Sequence, residues 1–125
     1  MSSYLSFRKG GVYLCSYSRN TQMYQAFPTA PYGDWQKVTP DRLRKGLDDL
    51  NETKRGLERA RSTYEEALKH QMAYDDLIST INSVRDYNDE LAEVECAISQ
   101  LLLLIDIDGD DEYGKEKYDF EWSVG

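Results

Sequence analysis

The part of the sequence with the clearest potential for chemistry is the acidic run Asp106-Ile107-Asp108-Gly109-Asp110, in which carboxylates alternate with other residues. Alternating carboxylates bind Ca²⁺ in EF-hand loops, but such a loop needs glycine at its sixth position and glutamate at its twelfth. Counted from Asp106, these positions hold Asp111 and Lys117. The sequence therefore predicts a solvated turn between a helix and a strand. Divalent ion binding by residues 106–112 stays an open alternative.

The single histidine, His70, and the two cysteines, Cys15 and Cys96, are widely separated in the sequence. Their spacing matches no zinc site, and nothing pairs a nucleophile with a base. Two cysteines are too few for the disulfide framework of a small secreted domain, so we expect two buried free thiols. We therefore predict no catalytic residues, no metal and no cofactor. A small enzyme or metal-binding protein is the third alternative for the function.

Charge is unevenly distributed along the 125 residues, whose net charge is −8. Residues 1–45 carry seven lysines and arginines against two acids, whereas residues 71–125 carry three against fifteen. A strongly acidic half repels nucleic acid and attracts a basic groove on another protein. We therefore expect a protein partner with a basic groove and no direct binding of nucleic acid.

No segment of the sequence is typical of a membrane protein or a secreted protein. The longest apolar run, residues 101–105, is far shorter than the ~20 residues that span a bilayer. No basic segment followed by an apolar stretch opens the chain. We expect no membrane partner and a cytoplasmic location, which would be the host cytoplasm if the chain is viral.

Residues with high strand propensity cluster near the two ends of the sequence. Residues 4–7 and 12–17 flank the turn sequence 9–11, Lys-Gly-Gly, which predicts a β-hairpin. Residues 23–27 predict a third strand. Residues 117–124 alternate polar and apolar side chains, the period of a half-buried strand, whose expected partner is the N-terminal hairpin.

A long helical region begins at a well-defined sequence signal. Thr39 suits the N-cap, Pro40 suits the first helical position, and Asp41 lies where the helix dipole favours an acid. Val38 and Leu43 occupy the two positions of a hydrophobic staple. We therefore predict that the helical region begins at residue 39, and its apolar periodicity continues to about residue 107.

Apolar residues recur every seven positions in both halves of this region. A single helix over residues 39–107 would be about 100 Å long and would leave this stripe exposed. The stripe must therefore be covered by the other half of the same chain or by another chain. We predict a bend at residues 70–75 and an antiparallel hairpin. The stripe consists of Leu43, Leu50, Leu57 and Tyr64 in the first half, and Leu77, Val84, Leu91, Ile98 and Ile105 in the second.

The predicted hairpin specifies which side chains should meet. A bend at 70–75 favours the apolar pairs Leu47–Ile98, Leu43–Leu102, Tyr64–Ile81 and Leu68–Leu77. The polar positions of the two stripes also coincide, because both arms have apolar ends and a polar middle. These polar positions are Lys54 and Arg61 in the first arm, and Asn88 and Glu95 in the second.

These elements predict a single α+β domain over residues 1–125. Residues 1–38 form the β-hairpin region and a connection, residues 39–107 the long antiparallel helical hairpin, and residues 108–125 the acidic turn and C-terminal strand. The hairpin and the C-terminal strand should form a small antiparallel sheet. Its predicted core consists of Leu5, Phe7, Val12, Leu14, Phe27, Trp35, Val38, Leu43, Tyr118, Phe120 and Trp122.

Two surfaces are candidates for binding a partner. A row of acids on the second helical arm lies mostly off the apolar stripe and, at helical spacing, could imitate the phosphates of a nucleic acid. The opposite face of the N-terminal sheet should present tyrosine and arginine, which are frequent anchors of protein interfaces. The acidic residues are Asp86, Asp89, Glu90, Glu93 and Glu95, and the sheet residues are Tyr13, Tyr17, Arg19 and Tyr24.

The sequence as a whole indicates a non-catalytic, acidic protein-binding protein. Its general character fits an inhibitor, encoded by a phage or mobile element, of a host nucleic-acid-binding or immunity protein, in the manner of anti-CRISPR proteins. Docking and phosphate mimicry would be the mechanism. The alternative is a structural or scaffold homo-oligomer, such as a virion component, in which the heptads pair between chains.

Overall fold

The computed structural model describes residues 4–9, 12–16, 20–110 and 120–125. Within them the chain forms a small sheet and a long helical hairpin, which confirms the predicted α+β fold. In chain order the elements are β1 (Leu5–Lys9), β2 (Val12–Ser16), α1 (Thr21–Ala26), β3 (Gln36–Lys37), α2 (Pro40–Ala67), α3 (Tyr74–Asp110) and β4 (Phe120–Val124).

The C-terminal strand lies in the middle of the sheet. The strand order is β2-β1-β4-β3, and each of the three pairings is antiparallel. Phe7 of β1 lies opposite Trp122 of β4, and both side chains are buried. The predicted pairing of the N-terminal hairpin with the C-terminal strand is therefore confirmed, and it joins the two ends of the described chain.

The prediction of a strand at residues 23–27 is wrong, because this segment forms the helix α1. Asn20 is the N-cap, and its side-chain oxygen accepts a hydrogen bond from the Met23 backbone N–H at 3.0 Å. Met23 and Ala26 are buried on one face of the helix. The capping bond and the buried face together outweigh the strand propensity of this aromatic-rich segment.

The predicted start of the helical region and its bend are confirmed. The hydroxyl of Thr39 accepts a hydrogen bond from the Arg42 backbone N–H at 3.1 Å, and Pro40 is the first residue of α2. Helix α2 ends at Ala67 and α3 begins at Tyr74, so the bend covers residues 68–73 and overlaps the predicted stretch 70–75.

The polar contacts between the two long helices confirm the antiparallel hairpin. The Lys54 Nζ atom lies 3.8 Å from a carboxylate oxygen of Glu95. Two helical turns nearer the bend on both helices, Arg61 Nη1 donates a hydrogen bond to Asn88 Oδ1 at 3.0 Å. The polar positions predicted to coincide therefore do so within one chain.

Two of the predicted apolar pairs are wrong. Tyr64 packs against Tyr87, with ring centroids 5.7 Å apart, and not against Ile81. Leu102 and Leu103 are 43% and 65% exposed, whereas Leu101 and Leu104 are fully buried. The base of α3 turns a broader face inward than the seven-residue stripe predicts, because it covers α1 as well as α2.

The core lies between the inner face of the sheet, α1, and the bases of α2 and α3. Leu47 and Ile98 both pack against it. Trp35 was predicted in this core but lies half-buried on the opposite face of the sheet. The side chains of Val12, Leu14 and Tyr118 lie outside the described part of the structure. The central buried residues are Leu5, Phe7, Met23, Phe27, Val38, Leu43, Leu50, Ala97, Leu101, Leu104, Phe120, Trp122 and Val124.

Helix α3 extends to Asp110, three residues beyond the predicted end. The prediction of an acidic turn from residue 108 is therefore wrong for residues 108–110, because an existing helix gains one backbone hydrogen bond for each added residue, and this offsets the weak propensities of Asp and Gly. The rest of the acidic segment, residues 111–119, lies outside the described residues. Among the described residues, no helix is both long and apolar enough to cross a membrane.

Gly46 allows α2 to approach α1 closely, and its replacement tests this packing. A Cβ atom at residue 46 would lie within 2.9 Å of three ring atoms of the fully buried Phe27. We expect Gly46→Ala to lower the free energy of unfolding by about 2 kcal/mol, because the ring must move in a packed core. At Gly56 a Cβ would meet nothing within 4 Å. Gly56→Ala should therefore raise the stability by about 1 kcal/mol through helix propensity.

Urea unfolding followed by circular dichroism measures both changes. An equal effect of the two substitutions would contradict the close contact between α1 and α2.

Candidate protein-binding surfaces

The first candidate binding surface lies on helix α3, because the two long helices differ in net charge. Helix α2 contains seven acids and seven lysines or arginines, so its net charge is zero. Helix α3 contains ten acids and one arginine, so its net charge is −9. Since α2 has no net charge, the hairpin pairing leaves most of the negative charge of α3 uncompensated.

Three of the five predicted acidic residues are available on this surface. Asp86, Asp89 and Glu90 are exposed within two turns of α3 and make no ion pair within the described part of the chain. Their positions, three and four residues apart, place them on neighbouring parts of one side of the helix. We call these three residues the acidic face.

The other two predicted acids are engaged inside the molecule. The Glu93 carboxylate accepts hydrogen bonds from the backbone N–H of Thr21 at 3.0 Å and from its hydroxyl at 3.1 Å. The Asn20 side chain also donates to the Glu93 carbonyl oxygen at 3.1 Å. Glu95 faces Lys54, as described above. Glu93 thus holds the start of α1 against α3, and Glu95 holds α2.

The outer face of the sheet forms the second surface. The Tyr13 ring is 60% exposed and packs edge-to-face on Trp35, with centroids 5.8 Å apart. The Arg8 guanidinium lies 4.2 Å from the Trp35 ring centroid, and its Nε lies 3.2 Å from the Glu121 carboxylate. We call this group of four side chains the aromatic platform.

The aromatic platform suits protein better than nucleic acid as a partner. Tyrosine, tryptophan and arginine are enriched at the centres of protein interfaces. Stacking of bases would also need a cation free to meet phosphate, but the Arg8 guanidinium is already paired with the carboxylate of Glu121.

The other predicted members of the sheet surface are not part of the aromatic platform. The placement of Tyr24 on the sheet is wrong, because it lies in α1, half-buried against the core. Burial raises the pKa of the Tyr24 phenol, while a hydrogen bond with the backbone of Leu5 opposes this shift. Tyr17 and Arg19 lie outside the described residues, so their predicted role is untested.

The described residues bring together little that resembles a catalytic centre. They contain no group of three or more His, Cys, Asp or Glu side chains able to hold a metal ion. His70 is exposed at the bend, 4.0 Å from Glu66. Cys96 is a free, exposed thiol, so the prediction that it is buried is wrong. A surface depression lined by residues 55–63 lies on α2 alone, and one helix face cannot enclose a substrate.

The position of Trp35 in the aromatic platform was not predicted from the sequence. Tryptophan was assigned to the core because it is apolar, but Trp35 precedes the short edge strand β3 and faces outward. A usable signal in the sequence is that the two residues after Trp35, Gln36 and Lys37, are polar. Both are exposed in the structure. Such an edge strand has no apolar alternation that would direct Trp35 inward.

Comparison of the chain with models of protein families, with curated proteins and with solved structures finds no match.

Two substitutions distinguish Glu93, whose carboxylate contacts the start of α1, from an acid that lies only on the surface. We expect Glu93→Ala to lower the free energy of unfolding by about 1 kcal/mol, because it removes the hydrogen bonds to Thr21. Glu90→Ala removes the same charge from the acidic face and should change stability by less than about 0.5 kcal/mol. Urea unfolding of both variants makes the comparison. Equal stabilities would show that the Glu93 contact is not formed in solution.

Proposed function

We propose that this chain is a non-catalytic binding protein that docks onto a basic groove of another protein through helix α3. The observation that supports it most directly is the acidic face, which lies on a helix of net charge −9 and whose three carboxylates form no ion pair among the described residues. Maintaining such repulsion costs free energy, and a basic partner would relieve it. The aromatic platform would supply a second contact.

The partner class that we propose is a host nucleic-acid-binding or immunity protein. The exposed acids of α3 that form no ion pair extend from Asp75 to Glu90 among the residues with described side chains, which is about 22 Å along the helix axis. A groove built to bind the closely spaced phosphates of a duplex would accept such a row of carboxylates. An inhibitor encoded by a phage or mobile element, acting in the cytoplasm in the manner of anti-CRISPR proteins, fits this chemistry.

A structural homo-oligomer is the second candidate function. It is favoured by one observation, that the large exposed aliphatic side chains among the described residues all lie on α3. They are Ile78, Ile81, Leu102 and Leu103. Against it, pairing of two α3 helices would bring two charges of −9 together. We therefore prefer a basic partner over a second copy.

Reversal of the acidic face tests the proposed function. We expect Asp86→Lys, Asp89→Lys and Glu90→Lys, combined in one variant, to lose the basic proteins that the immobilised wild-type chain enriches from a bacterial lysate. The matched control changes Asp48, Asp49 and Glu52, three exposed acids of α2, in the same way. Quantitative mass spectrometry compares the eluates, and duplex DNA should compete with the wild-type chain for the enriched proteins.

Retention of the same proteins by the variant with the reversed acidic face would contradict the proposal. A loss of equal size in the α2 control would also contradict it, because the effect would then follow net charge alone.

A further inference from the structure

We propose that the N-terminal end of α3 is the docking site for a basic amphipathic helix of the partner protein. The inference rests on the proposed function and specifies its partner. The site combines an apolar patch, formed by Tyr74, Ile78 and Ile81, with the acids that lie beside it on the same helix. The apolar patch would bind the apolar side of the partner helix, and the acids would bind its lysines and arginines.

The apolar patch is a continuous stripe on one side of α3. Tyr74, Ile78 and Ile81 are 74%, 42% and 40% exposed. Their spacing of four and three residues places them one above another on the helix surface. This is the arrangement that a helix uses to pack against another helix. Helix α2 does not cover these residues, since α3 directs the neighbouring Leu77 and Val84 towards the half-buried seam.

The part of the hairpin that carries the patch lacks a core of its own. All residues from 51 to 90 are described, and none of them is buried. Both helices continue through this region as a projecting arm, which the Lys54–Glu95, Arg61–Asn88 and Tyr64–Tyr87 contacts hold together. An arm with few buried contacts has low local stability. A third helix packed on the patch would bury apolar surface there and stabilise the arm.

Charge complementarity identifies the occupant as basic. At about 100° per residue, Asp75 lies beside the apolar patch, Asp86 and Asp89 continue the same edge one to two turns beyond Ile81, and the opposite edge is the seam with α2. Glu90 lies further round the helix, and Asp76 lies on the side opposite the patch. Of the residues from 74 to 90, only Arg85 carries a positive charge, and it lies in line with the patch about one turn beyond Ile81. A partner helix with lysine or arginine along one flank would therefore pair with the acids while its apolar side covers the patch.

The same charges argue against the two other occupants of this patch. A second copy of α3 would place an acidic helix against an acidic helix. An apolar peptide without basic residues would leave the acids beside it partly desolvated and unpaired, which costs free energy. Both are retained as outcomes of the test.

Synthetic helical peptides test the inference on the full chain. The probe is a peptide of about 21 residues with leucine at the a and d positions of three heptads and lysine at the flanking positions. A second peptide replaces every lysine by glutamate, and a third has the composition of the first in an order that is not amphipathic. Fluorescence anisotropy measures binding, and sedimentation velocity measures self-association of the chain.

The two parts of the site are changed separately. We expect Ile78→Gln with Ile81→Gln to weaken binding of the basic amphipathic peptide by about tenfold or more, because apolar burial is lost. The matched control, Tyr32→Gln, removes an apolar side chain that is 78% exposed elsewhere and should leave binding unchanged. Asp86→Asn, Asp89→Asn and Glu90→Gln should also weaken binding and reduce its salt dependence. The same neutralisation at Asp48, Asp49 and Glu52 should have little effect.

The outcomes distinguish this inference from the proposed function. Unchanged binding by the variant with both isoleucines replaced, together with weaker binding by the neutralised acidic face, would overturn the apolar docking site and leave the proposed function intact. Equal effects of neutralisation on α2 and α3 would overturn both. Equal binding of the glutamate peptide, or a dimer that the isoleucine replacements abolish, would overturn the basic partner. Circular dichroism should show an unchanged melting temperature for the variants, since every replaced side chain is exposed.

Discussion

The antiparallel packing of α2 on α3 within one chain is the constraint on which the other features depend. Helices of this length cannot leave an apolar stripe in water, and the bend at residues 68–73 lets one half of the stripe cover the other. The polar contacts Lys54–Glu95 and Arg61–Asn88 fix the alignment in the middle of the arm. Exposed ion pairs add little stability, so their main effect is to specify register. Apolar burial at the base supplies most of the stability.

The packing of the sheet against the bases of α2 and α3 determines which side chains elsewhere in the molecule stay exposed. Once the inner face of the sheet packs against α1, α2 and α3, its outer face is left to solvent with the aromatic platform on it. Because Glu93 is used to hold α1, the acidic face is reduced to Asp86, Asp89 and Glu90. The projecting arm gains no such cover, and the apolar patch at its end stays exposed. The candidate surfaces are therefore the parts of each element that the core does not use.

The elements of the fold were predicted correctly where a short stretch of sequence determines the local structure by itself. Thr39 and Pro40 define the start of α2, and the alternation around Phe120 and Trp122 defines β4, because capping and period-two burial are short-range effects. Predictions were wrong where a distant contact decides the outcome. Residues 23–27 have the composition of a strand, but contacts of Asn20 and Thr21 with Glu93, more than 70 residues away, stabilise a helix. Only three of the five predicted acids belong to the acidic face, because the sequence alone cannot show which acids make contacts within the molecule.

The distance between the two arms in solution tests the central constraint most directly. Spin labels at residues 59 and 90, both exposed, would be attached to a chain in which Cys15 and Cys96 are replaced by serine, diluted with unlabelled chain. An intramolecular hairpin predicts a distance below about 20 Å, since packed helix axes lie 8–10 Å apart. A helix that continues through the bend and pairs with another chain would separate the labels by about 46 Å. That longer distance would contradict the hairpin, and the surfaces that depend on it.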